Sequence, residues 1–378
     1  ERATLRVEAF HICSLKFKVS IRAKNFSDRA DFSLKHFVMM LFLGLIFISL
    51  TSVLGVNNRN IQEGESCQLP DANPGVCRKI MDCLHRDPRS PSTLCKSSGH
   101  FRVVCCPPDA TAQAKTMCES IPIHVESRIK PHIVGNAEIA EVGEFPFMGL
   151  LMYNDQTMRC GAVLITNKHL LTAAHCFRRE NATQVRLGTN AATDEGAEPY
   201  GIAKIVTHPD YKPKQKKQLS IMADLAIVEL AEEVDPDDPN IAPLCLYRTL
   251  EDLPPSKNLT IVGWGTTDTS TKSTADTLMK GTVQTSSHSK CQESYMKIKK
   301  TRITSSHLCA QGDADSRGVH TDACWGDSGG PLVKLEGSKY VLVGIVSSGH
   351  HCGLQDFPGV YTRVASYLDW IMNEISRI

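Results

Sequence analysis

Apolar residues in the second half of this chain fall into short runs. From residue 133 onward, stretches rich in β-branched and aromatic residues are separated by Gly, Pro, Asn and Asp; examples are Gly161–Ile165, Leu259–Gly263 and Lys339–Val346. Runs of this length between turn-forming residues are typical of β-strands. We therefore predict an all-β domain over residues 133–378, built from many short strands.

A helical repeat is found only at the carboxyl end of that domain. Leu368, Ile371, Met372 and Ile375 follow an i, i+3, i+4, i+7 spacing, which predicts one apolar face of an α-helix. We expect this face to pack on the core rather than to bind a partner. No second long helix is expected in the domain.

An apolar segment lies near the amino end. Residues 39–55 are predominantly apolar, basic residues precede them, and Gly55 is small enough for a signal-peptidase site. The pattern predicts a secretory signal peptide that starts at Met39 or Met40, so residues 1–38 are interpreted as a leader outside the native protein. An uncleaved membrane anchor is the alternative, since the run approaches the length that spans a bilayer.

The composition favours an extracellular protein. The chain has 15 cysteines among 378 residues, which is many for a reducing compartment and indicates disulfide bonds. Its formal net charge of +1 gives no electrostatic reason to expect a nucleic-acid partner. After removal of the signal peptide, no membrane association is expected. The length is sufficient for about two domains.

Six cysteines are concentrated between residues 67 and 106. A segment this short cannot bury a sufficient core by itself, so we expect disulfides to hold it together. Zinc binding is the alternative, but the adjacent cysteines at 105 and 106 and the lack of a C-x-x-C repeat fit zinc poorly. The spacing leaves the pairing open. The six are Cys67, Cys77, Cys83, Cys95, Cys105 and Cys106.

Residues 107–132 separate this segment from the β domain. They are rich in Pro at the start, polar throughout and without a periodic apolar face. We interpret them as an exposed linker that proteases can reach. Cys118 and Cys245 each stand apart from the other cysteines, and a bond between them would tether the front segment to the β domain.

Three motifs within residues 133–378 indicate acyl-transfer chemistry. Ser328 lies in the stretch Asp-Ala-Cys-Trp-Gly-Asp-Ser-Gly-Gly-Pro, where a tight turn can expose the hydroxyl beside the backbone N–H groups of Gly326 and Ser328. A serine hydroxyl needs a neighbouring base, and the histidine of Leu-Thr-Ala-Ala-His-Cys, His175, is a side chain that can act as one. Asp224, in Asp-Leu-Ala-Ile-Val-Glu-Leu, would hold the imidazole in the required tautomer.

In the order His, Asp, Ser, these motifs resemble those of the chymotrypsin-like serine proteases. The cysteine-rich segment, which ends in Cys-Cys-Pro, resembles the clip domain of arthropod members of that family. The resemblance extends from about residue 60 to the end of the chain. It implies a clip domain at 67–106, then two six-stranded antiparallel β-barrels with the three residues in the cleft between them, and a C-terminal helix packed outside. The disulfide bonds it implies are Cys67–Cys105, Cys77–Cys95, Cys83–Cys106, Cys118–Cys245, Cys160–Cys176, Cys291–Cys309 and Cys324–Cys352.

The stretch His132-Ile133-Val134-Gly135 resembles the activation site of the same family. In the family, cleavage before the isoleucine creates an ammonium group that pairs with the aspartate preceding the active serine, here Asp327. The resemblance therefore implies a zymogen. Relatives usually carry Arg or Lys before this bond, so His132 predicts an activating protease of unusual specificity.

Asp322, six residues before Ser328, matches the floor of the family's primary specificity pocket, and Gly349 and Gly359 match its walls. A carboxylate at the base of a narrow pocket attracts a cationic side chain, so the resemblance implies cleavage after Arg or Lys. Ser348 replaces the Trp that is usual before the first wall glycine, which leaves the preference of the neighbouring subsite open.

The resemblance also implies a biological setting. It implies secretion into haemolymph and a place in an extracellular proteolytic cascade, with Toll-type innate immunity favoured over development. The expected partners are an upstream activating protease, a downstream protease zymogen as substrate, and serpin-type inhibitors. A catalytically inactive homologue that serves as a cofactor is the alternative, and the intact His175, Asp224 and Ser328 argue against it.

Two surface features remain. Asn181-Ala-Thr and Asn258-Leu-Thr are sequons for N-glycosylation in a secreted chain. An acidic loop offers carboxylates that could bind calcium, and calcium is the alternative there. Thr189 occupies the position where the first calcium ligand is expected, so we favour a solvated loop and predict no metal and no other cofactor. The acidic residues of the loop are Asp194, Glu195 and Glu198.

Overall fold

The computed structural model describes the chain in segments. The predicted leader, the predicted signal segment and residues 122–136, which contain the predicted activation bond, lie outside the described residues. No helix within the described segments is long and apolar enough to span a bilayer. The described segments are 61–62, 65–69, 74–79, 94–96, 102–106, 109–121, 137–155, 158–194, 196–197, 199–212, 223–267, 273–299 and 302–377.

Short β-strands dominate the described segments. In chain order they are β1 (Ser66–Gln68), β2 (Pro74–Lys79), β3 (Val103–Cys106), β4 (Glu138–Ile139), β5 (Met148–Met152), β6 (Cys160–Leu164), β7 (His169–Thr172), β8 (Gln184–Arg186), β9 (Tyr200–Thr207), β10 (Ala226–Leu230), β11 (Cys245–Leu246), β12 (Asn258–Gly263), β13 (Met279–Thr285), β14 (His307–Gln311), β15 (Pro331–Glu336), β16 (Lys339–Ser348) and β17 (Gly359–Arg363). The α-helices are α1 (Ala110–Glu119), α2 (His288–Lys299) and α3 (Leu368–Ser376).

The strands after residue 147 build two barrels. Strands β5 to β10 close in the order β10-β7-β6-β5-β8-β9, and all of their pairings are antiparallel. The second barrel has the order β16-β15-β12-β13-β14-β17 and is closed by the pairing of β16 with β17. Strands β4 and β11 add to it through β13 and β16. The predicted pair of six-stranded barrels is confirmed.

Apolar interiors hold the barrels together. Strands β6, β7 and β10 are buried at every position, because in a small closed barrel one face fills the interior and the other is covered by neighbouring segments. Trp264, which follows β12, is among the largest fully buried side chains. Its Nε1 donates to the carbonyl oxygen of Asn190 at 2.8 Å and so connects the second barrel to a loop of the first.

The barrels place the three motif residues at the ends of strands. His175 lies in a 3-10 turn, Ala174–Phe177, directly after β7. Asp224 comes just before β10, and Ser328 lies in the turn that precedes β15. The first barrel therefore supplies the histidine and the aspartate, and the second barrel supplies the serine.

The front segment is a small antiparallel sheet in the order β1-β2-β3. Its core consists largely of cysteine side chains, as expected of a segment too short to build an apolar core. The bonds Cys67–Cys105 and Cys77–Cys95 are present, with Cα–Cα distances of 5.9 and 6.0 Å. Cys106 is also disulfide-bonded, and its predicted partner Cys83 lies outside the described residues.

Helix α1 lies where we predicted an exposed linker, so that prediction is wrong for residues 110–119. Asp109 caps the helix, since its side chain accepts hydrogen bonds from two amides of the first turn. The helix packs on α3 and β11 with Ala110 and Ala114 buried, and the bond Cys118–Cys245 ties it to β11. Alanine makes only a narrow apolar stripe, so the helix has no face of large apolar residues that would predict it from the sequence.

Of the other two helices, the sequence predicted α3 and did not predict α2. Helix α3 confirms the predicted C-terminal helix, with Leu368, Ile371 and Met372 buried. Helix α2 contradicts the expectation of no second long helix. Its buried side chains include Cys291, bonded to Cys309 in β14, and one tyrosine a turn later. Two such positions are too few to give a helical period.

Candidate active site

His175 and Asp224 form a doubly hydrogen-bonded pair. The imidazole Nδ1 lies 2.8 Å from Asp224 Oδ2, and the backbone amide of His175 donates to Oδ1 at 2.9 Å. An ionised carboxylate only accepts hydrogen bonds, so Nδ1 carries the proton in this pair. The Asp224 side chain is 2% exposed and that of His175 is 25% exposed. In the neutral imidazole the other ring nitrogen, Nε2, then carries the lone pair and can act as a base.

Two hydroxyls that the sequence analysis did not single out support Asp224. Ser347 Oγ donates to Asp224 Oδ2 at 2.6 Å, and Thr362 Oγ1 donates to the Asp224 carbonyl oxygen at 3.0 Å. Burial opposes the charged form, but the His175 imidazole and the Ser347 hydroxyl hold the pKa of Asp224 below its ordinary value. The motif Ser-Ser-Gly was visible in the sequence; the direction of the Ser347 hydroxyl was not.

Ser328 lies in a turn that adjoins the histidine. Its carbonyl oxygen accepts from the amide of Gly161 in β6 at 2.8 Å. The same oxygen lies 3.8 Å from Cys176 Sγ, and Cys176 is bonded to Cys160 and follows His175 directly. The structure thus brings the serine turn against the strand and turn that carry the base.

The same turn leaves two amides available. Asp327, Gly329 and Gly330 donate their N–H groups to backbone carbonyls, whereas those of Gly326 and Ser328 reach no acceptor within the described part of the chain. Gly326 has φ +99°, and a Cβ there would lie 3.0 Å from a backbone carbon of Gly265, so a side chain would disturb the turn. These are the two amides predicted to form the anion hole.

The predicted pocket floor is a carboxylate with one unsatisfied oxygen. The amide of Gly353 donates to Asp322 Oδ2 at 3.2 Å, whereas Oδ1 is buried and without a hydrogen-bond partner. Burial raises the pKa of Asp322 to about 7, and the charge of nearby Asp327 also raises it. Such an oxygen is expected to bind a cation readily, because pairing replaces the lost hydration.

The predicted pocket walls lie at the two ends of the β16–β17 connection, since Gly349 follows β16 and Gly359 begins β17. A Cβ at Gly359 would lie 2.6 Å from Asp322 Oδ1, so only glycine permits this close approach. Gly349 is exposed, just beyond the end of β16. The bond Cys324–Cys352, with a Cα–Cα distance of 5.4 Å, joins this connection to the serine segment.

Asp327 borders a cavity of about 320 Å³. Its carboxylate accepts from the amides of Gly265 and Cys324 at 2.7 and 2.9 Å, and no cationic side chain pairs with it among the described residues. Burial raises the pKa of Asp327 to about 6. Ala137 also lines this cavity, and it is the first described residue after the predicted cleavage site; His132 and Ile133 lie outside the described residues.

The predicted surface features are placed as follows. Asn181 and Asn258 are exposed. In the acidic loop, Asp194 accepts hydrogen bonds from the Thr189 hydroxyl at 2.7 Å and from a backbone amide at 2.9 Å. These bonds, that of Thr189 first, hold the pKa of Asp194 below its ordinary value. The other two acidic residues of the loop lie outside the described residues.

Within the described segments, two groups of side chains have a spacing that could hold a metal ion. One contains Cys67, Cys77 and Cys95, and the other contains Cys160 and Cys176 beside His175. All five cysteines are in disulfide bonds, so their sulfurs are not thiolate ligands.

Comparison with known proteins gives consistent matches. Residues 133–371 match the family described as Trypsin. Phenoloxidase-activating factor 3 of Holotrichia diomphalia is 30% identical over 372 residues, which cover 89% of this chain and 99% of that protein. CLIP domain-containing serine protease C9 of Anopheles gambiae is 30% identical over 90% of this chain and 93% of its own length. The proclotting enzyme of Tachypleus tridentatus is 30% identical over 89% of this chain and 97% of its own length.

A solved structure extends the comparison to the fold. Neuropsin, a serine protease expressed in the limbic system of mouse brain, is 27% identical with a TM-score of 0.53. The match covers 64% of this chain and 99% of that one.

Proposed function

The chain belongs to the trypsin family of serine proteases, and we propose that it is a secreted endopeptidase, made as a zymogen, that cleaves protein substrates after Arg or Lys. The observation that carries the proposal is the hydrogen-bonded Asp224–His175 pair set against a serine turn with two available amides. A catalytically inactive homologue would not need this combination. Relatives such as the phenoloxidase-activating factor and the proclotting enzyme carry names that place them in activation reactions.

The proposed reaction follows from the positions of the protons. Ser328 Oγ attacks the scissile carbonyl carbon while His175 Nε2 takes its proton, and the C=O pair of electrons moves onto oxygen. The amides of Gly326 and Ser328 stabilise that oxyanion. His175 then gives the proton to the leaving amine, the C–N bond breaks, and water hydrolyses the acyl-enzyme by the same steps. Asp224 stabilises the imidazolium throughout.

Specificity is proposed to depend on Asp322. A guanidinium or ammonium group that enters the pocket would meet the unsatisfied Oδ1, and the pairing would lower the pKa of Asp322 from about 7. A neutral side chain would leave this buried oxygen without a partner. Cleavage is therefore expected to favour cationic residues.

Activation is proposed to occur by cleavage between His132 and Ile133. The new ammonium group would enter the cavity beside Asp327 and pair with a carboxylate that is otherwise buried without a cation. Because Asp327 lies within the serine turn, this pairing would stabilise the arrangement of the amides of Gly326 and Ser328. The presence of Ala137 on the cavity wall supports this path.

The biological setting is proposed from relatives and motifs. The clip-domain names of relatives and the disulfide-rich front sheet support secretion and a docking role for that sheet. The segment Ile-Lys-Pro-His-Ile-Val-Gly also resembles that of Persephone, an immune clip-domain protease. This favours haemolymph and a Toll-type cascade, with an upstream activating protease, a downstream zymogen substrate and serpin-type inhibitors as partners. A developmental cascade is the alternative.

The test uses a zymogen that a common protease can activate. His132→Arg should permit trypsin-like cleavage before Ile133, and the cleaved chain should hydrolyse arginyl and lysyl p-nitroanilides. The matched control carries Ser328→Ala in the same background and should be cleaved without gaining activity. Amino-terminal sequencing confirms the cleavage. Correctly cleaved, disulfide-intact protein without hydrolysis of any cationic substrate would refute the proposal.

A further inference from the structure

Ala223, the residue before Asp224, has an unusual backbone conformation. Its φ is +50°, in the left-handed region that glycine prefers. For alanine this region is disfavoured, because the Cβ atom comes too close to the following carbonyl oxygen. The residue is also 3% exposed, so the conformation is not a feature of a loose surface loop. Surrounding structure must hold it in place.

The hydroxyl of Tyr367 holds the amide of Ala223. The Ala223 N–H donates to this oxygen at 3.1 Å. Burial raises the pKa of Tyr367, against the effect of hydrogen bonds with Ser306 and Ala223, so the phenol keeps its proton at neutral pH. The Tyr367 ring is fixed in turn by an edge contact with His208, with ring centroids 5.1 Å apart. The acceptor is therefore rigid.

The conformation of Ala223 determines where Asp224 points. The Leu225 amide donates to the Ala223 carbonyl oxygen at 2.8 Å, which makes a three-residue turn centred on Asp224. Thr362 Oγ1 holds the Asp224 carbonyl oxygen on the other side. Thr362 and Tyr367 both belong to the chain that runs from β17 into α3, so one segment holds the main chain at Ala223 and again at Asp224.

We propose that Tyr367 is a positioning residue for catalysis, whose hydroxyl keeps Ala223 left-handed and thereby aims the Asp224 carboxylate at His175. This inference rests on the proposed peptidase activity. It adds to the catalytic site a supporting residue from the carboxyl end of the second barrel. Without the hydroxyl, Ala223 is free to relax toward ordinary φ values, and Asp224 turns with it. The specificity pocket at Asp322 is not part of this network.

Tyr367→Phe removes the oxygen alone. In the activated His132→Arg protein, we expect kcat for an arginyl p-nitroanilide to fall roughly five- to ten-fold with KM unchanged, since one positioning hydrogen bond is lost and binding is not. Inactivation of Ser328 by a phosphonylating reagent should slow by the same factor. Tyr153→Phe is the control, because the Tyr153 hydroxyl is buried without a hydrogen-bond partner, and it should leave both rates unchanged.

Ala223→Gly provides the decisive second measurement. Glycine adopts the left-handed region without strain, so Tyr367→Phe added to Ala223→Gly should lower kcat by no more than about two-fold relative to the Ala223→Gly protein. An equal fall with and without Ala223→Gly overturns the proposal. So does a Tyr367→Phe protein with a lower thermal midpoint but unchanged kcat. An inactive His132→Arg parent overturns the proposed function and this inference with it, whereas an active parent with an unaffected variant overturns this inference alone.

Discussion

The burial of Asp327 predicts a stability defect in the uncleaved chain that depends on pH. Burial raises the pKa of this carboxyl from an ordinary 3.8 to about 6. The difference corresponds to about 3 kcal/mol, at about 1.4 kcal/mol for each pH unit. Well below pH 3.8 the carboxyl is protonated in both the folded and the unfolded chain, so the penalty is absent. It develops between pH 4 and 6, because the unfolded chain releases its proton first, and it is complete above pH 6.

Asp327→Asn removes this titration and keeps the shape of the side chain. We expect the free energy of unfolding of the uncleaved protein to fall by about 3 kcal/mol between pH 3 and pH 7 relative to the variant. The variant has its own fixed penalty, since an amide NH₂ in place of Oδ2 would face the Cys324 amide donor. That penalty is the same at every pH, so the change with pH, not the absolute difference, isolates the carboxylate.

The assay is urea unfolding of disulfide-intact protein at several pH values, with Ser328→Ala in both chains to prevent self-cleavage. Asp322 titrates in both chains, so its contribution to the free energy of unfolding largely cancels from the comparison. After cleavage before Ile133, the ammonium group should lower the pKa of Asp327, so the same comparison on cleaved protein should lose its pH dependence between 4 and 7. If the difference in free energy of unfolding between parent and variant stays constant with pH in the uncleaved protein, Asp327 is not a buried carboxylate with a raised pKa.

Two further substitutions test the site. Ser347→Ala removes the 2.6 Å hydrogen bond to Asp224. Since a hydrogen bond to a charged group contributes about 1.5–3 kcal/mol, kcat should fall at least about ten-fold. Steady-state kinetics with an unchanged kcat would contradict the role of this hydroxyl. Asp322→Ser removes the pocket charge and should reduce kcat/KM for arginyl substrates by at least about a hundred-fold, while the rate of Ser328 phosphonylation changes little; a peptide library that still shows cleavage after Arg or Lys would mean the pocket floor lies elsewhere.

The sequence predicted those features whose signal is chemical or strongly periodic. Large apolar residues at helical spacing predicted α3, and the three motifs predicted residues that the fold then brings close together. Helices α1 and α2 were missed because their buried faces consist of Ala110 and Ala114 in one, and of Cys291 and a tyrosine in the other. Tertiary packing and a disulfide stabilise each of them, and neither contribution is visible in local periodicity.

The missed site residues have a different cause. Ser347 and Tyr367 carry common side chains at positions far from Asp224 in the chain, and their importance depends on the direction of one hydroxyl. The role of Ala223 could not be predicted from the sequence, because an alanine does not indicate a positive φ. Such roles follow from three-dimensional contacts, whereas the identity of the nucleophile and base follows from residue type.

Asp322 and Asp327 both line the cavity, which would connect the proposed activation with the proposed specificity. Burial is the main reason that the pKa of Asp322 is about 7, and the charge of Asp327 raises it further. At neutral pH the pocket floor of the uncleaved chain is therefore ionised only in part. An ammonium group placed beside Asp327 would neutralise the charge of the Asp327 carboxylate and would also favour the charged form of Asp322. Asp322 would therefore ionise more fully. On the proposed activation, cleavage before Ile133 thus stabilises the serine turn and strengthens the pocket's attraction for a cationic side chain through the same charge.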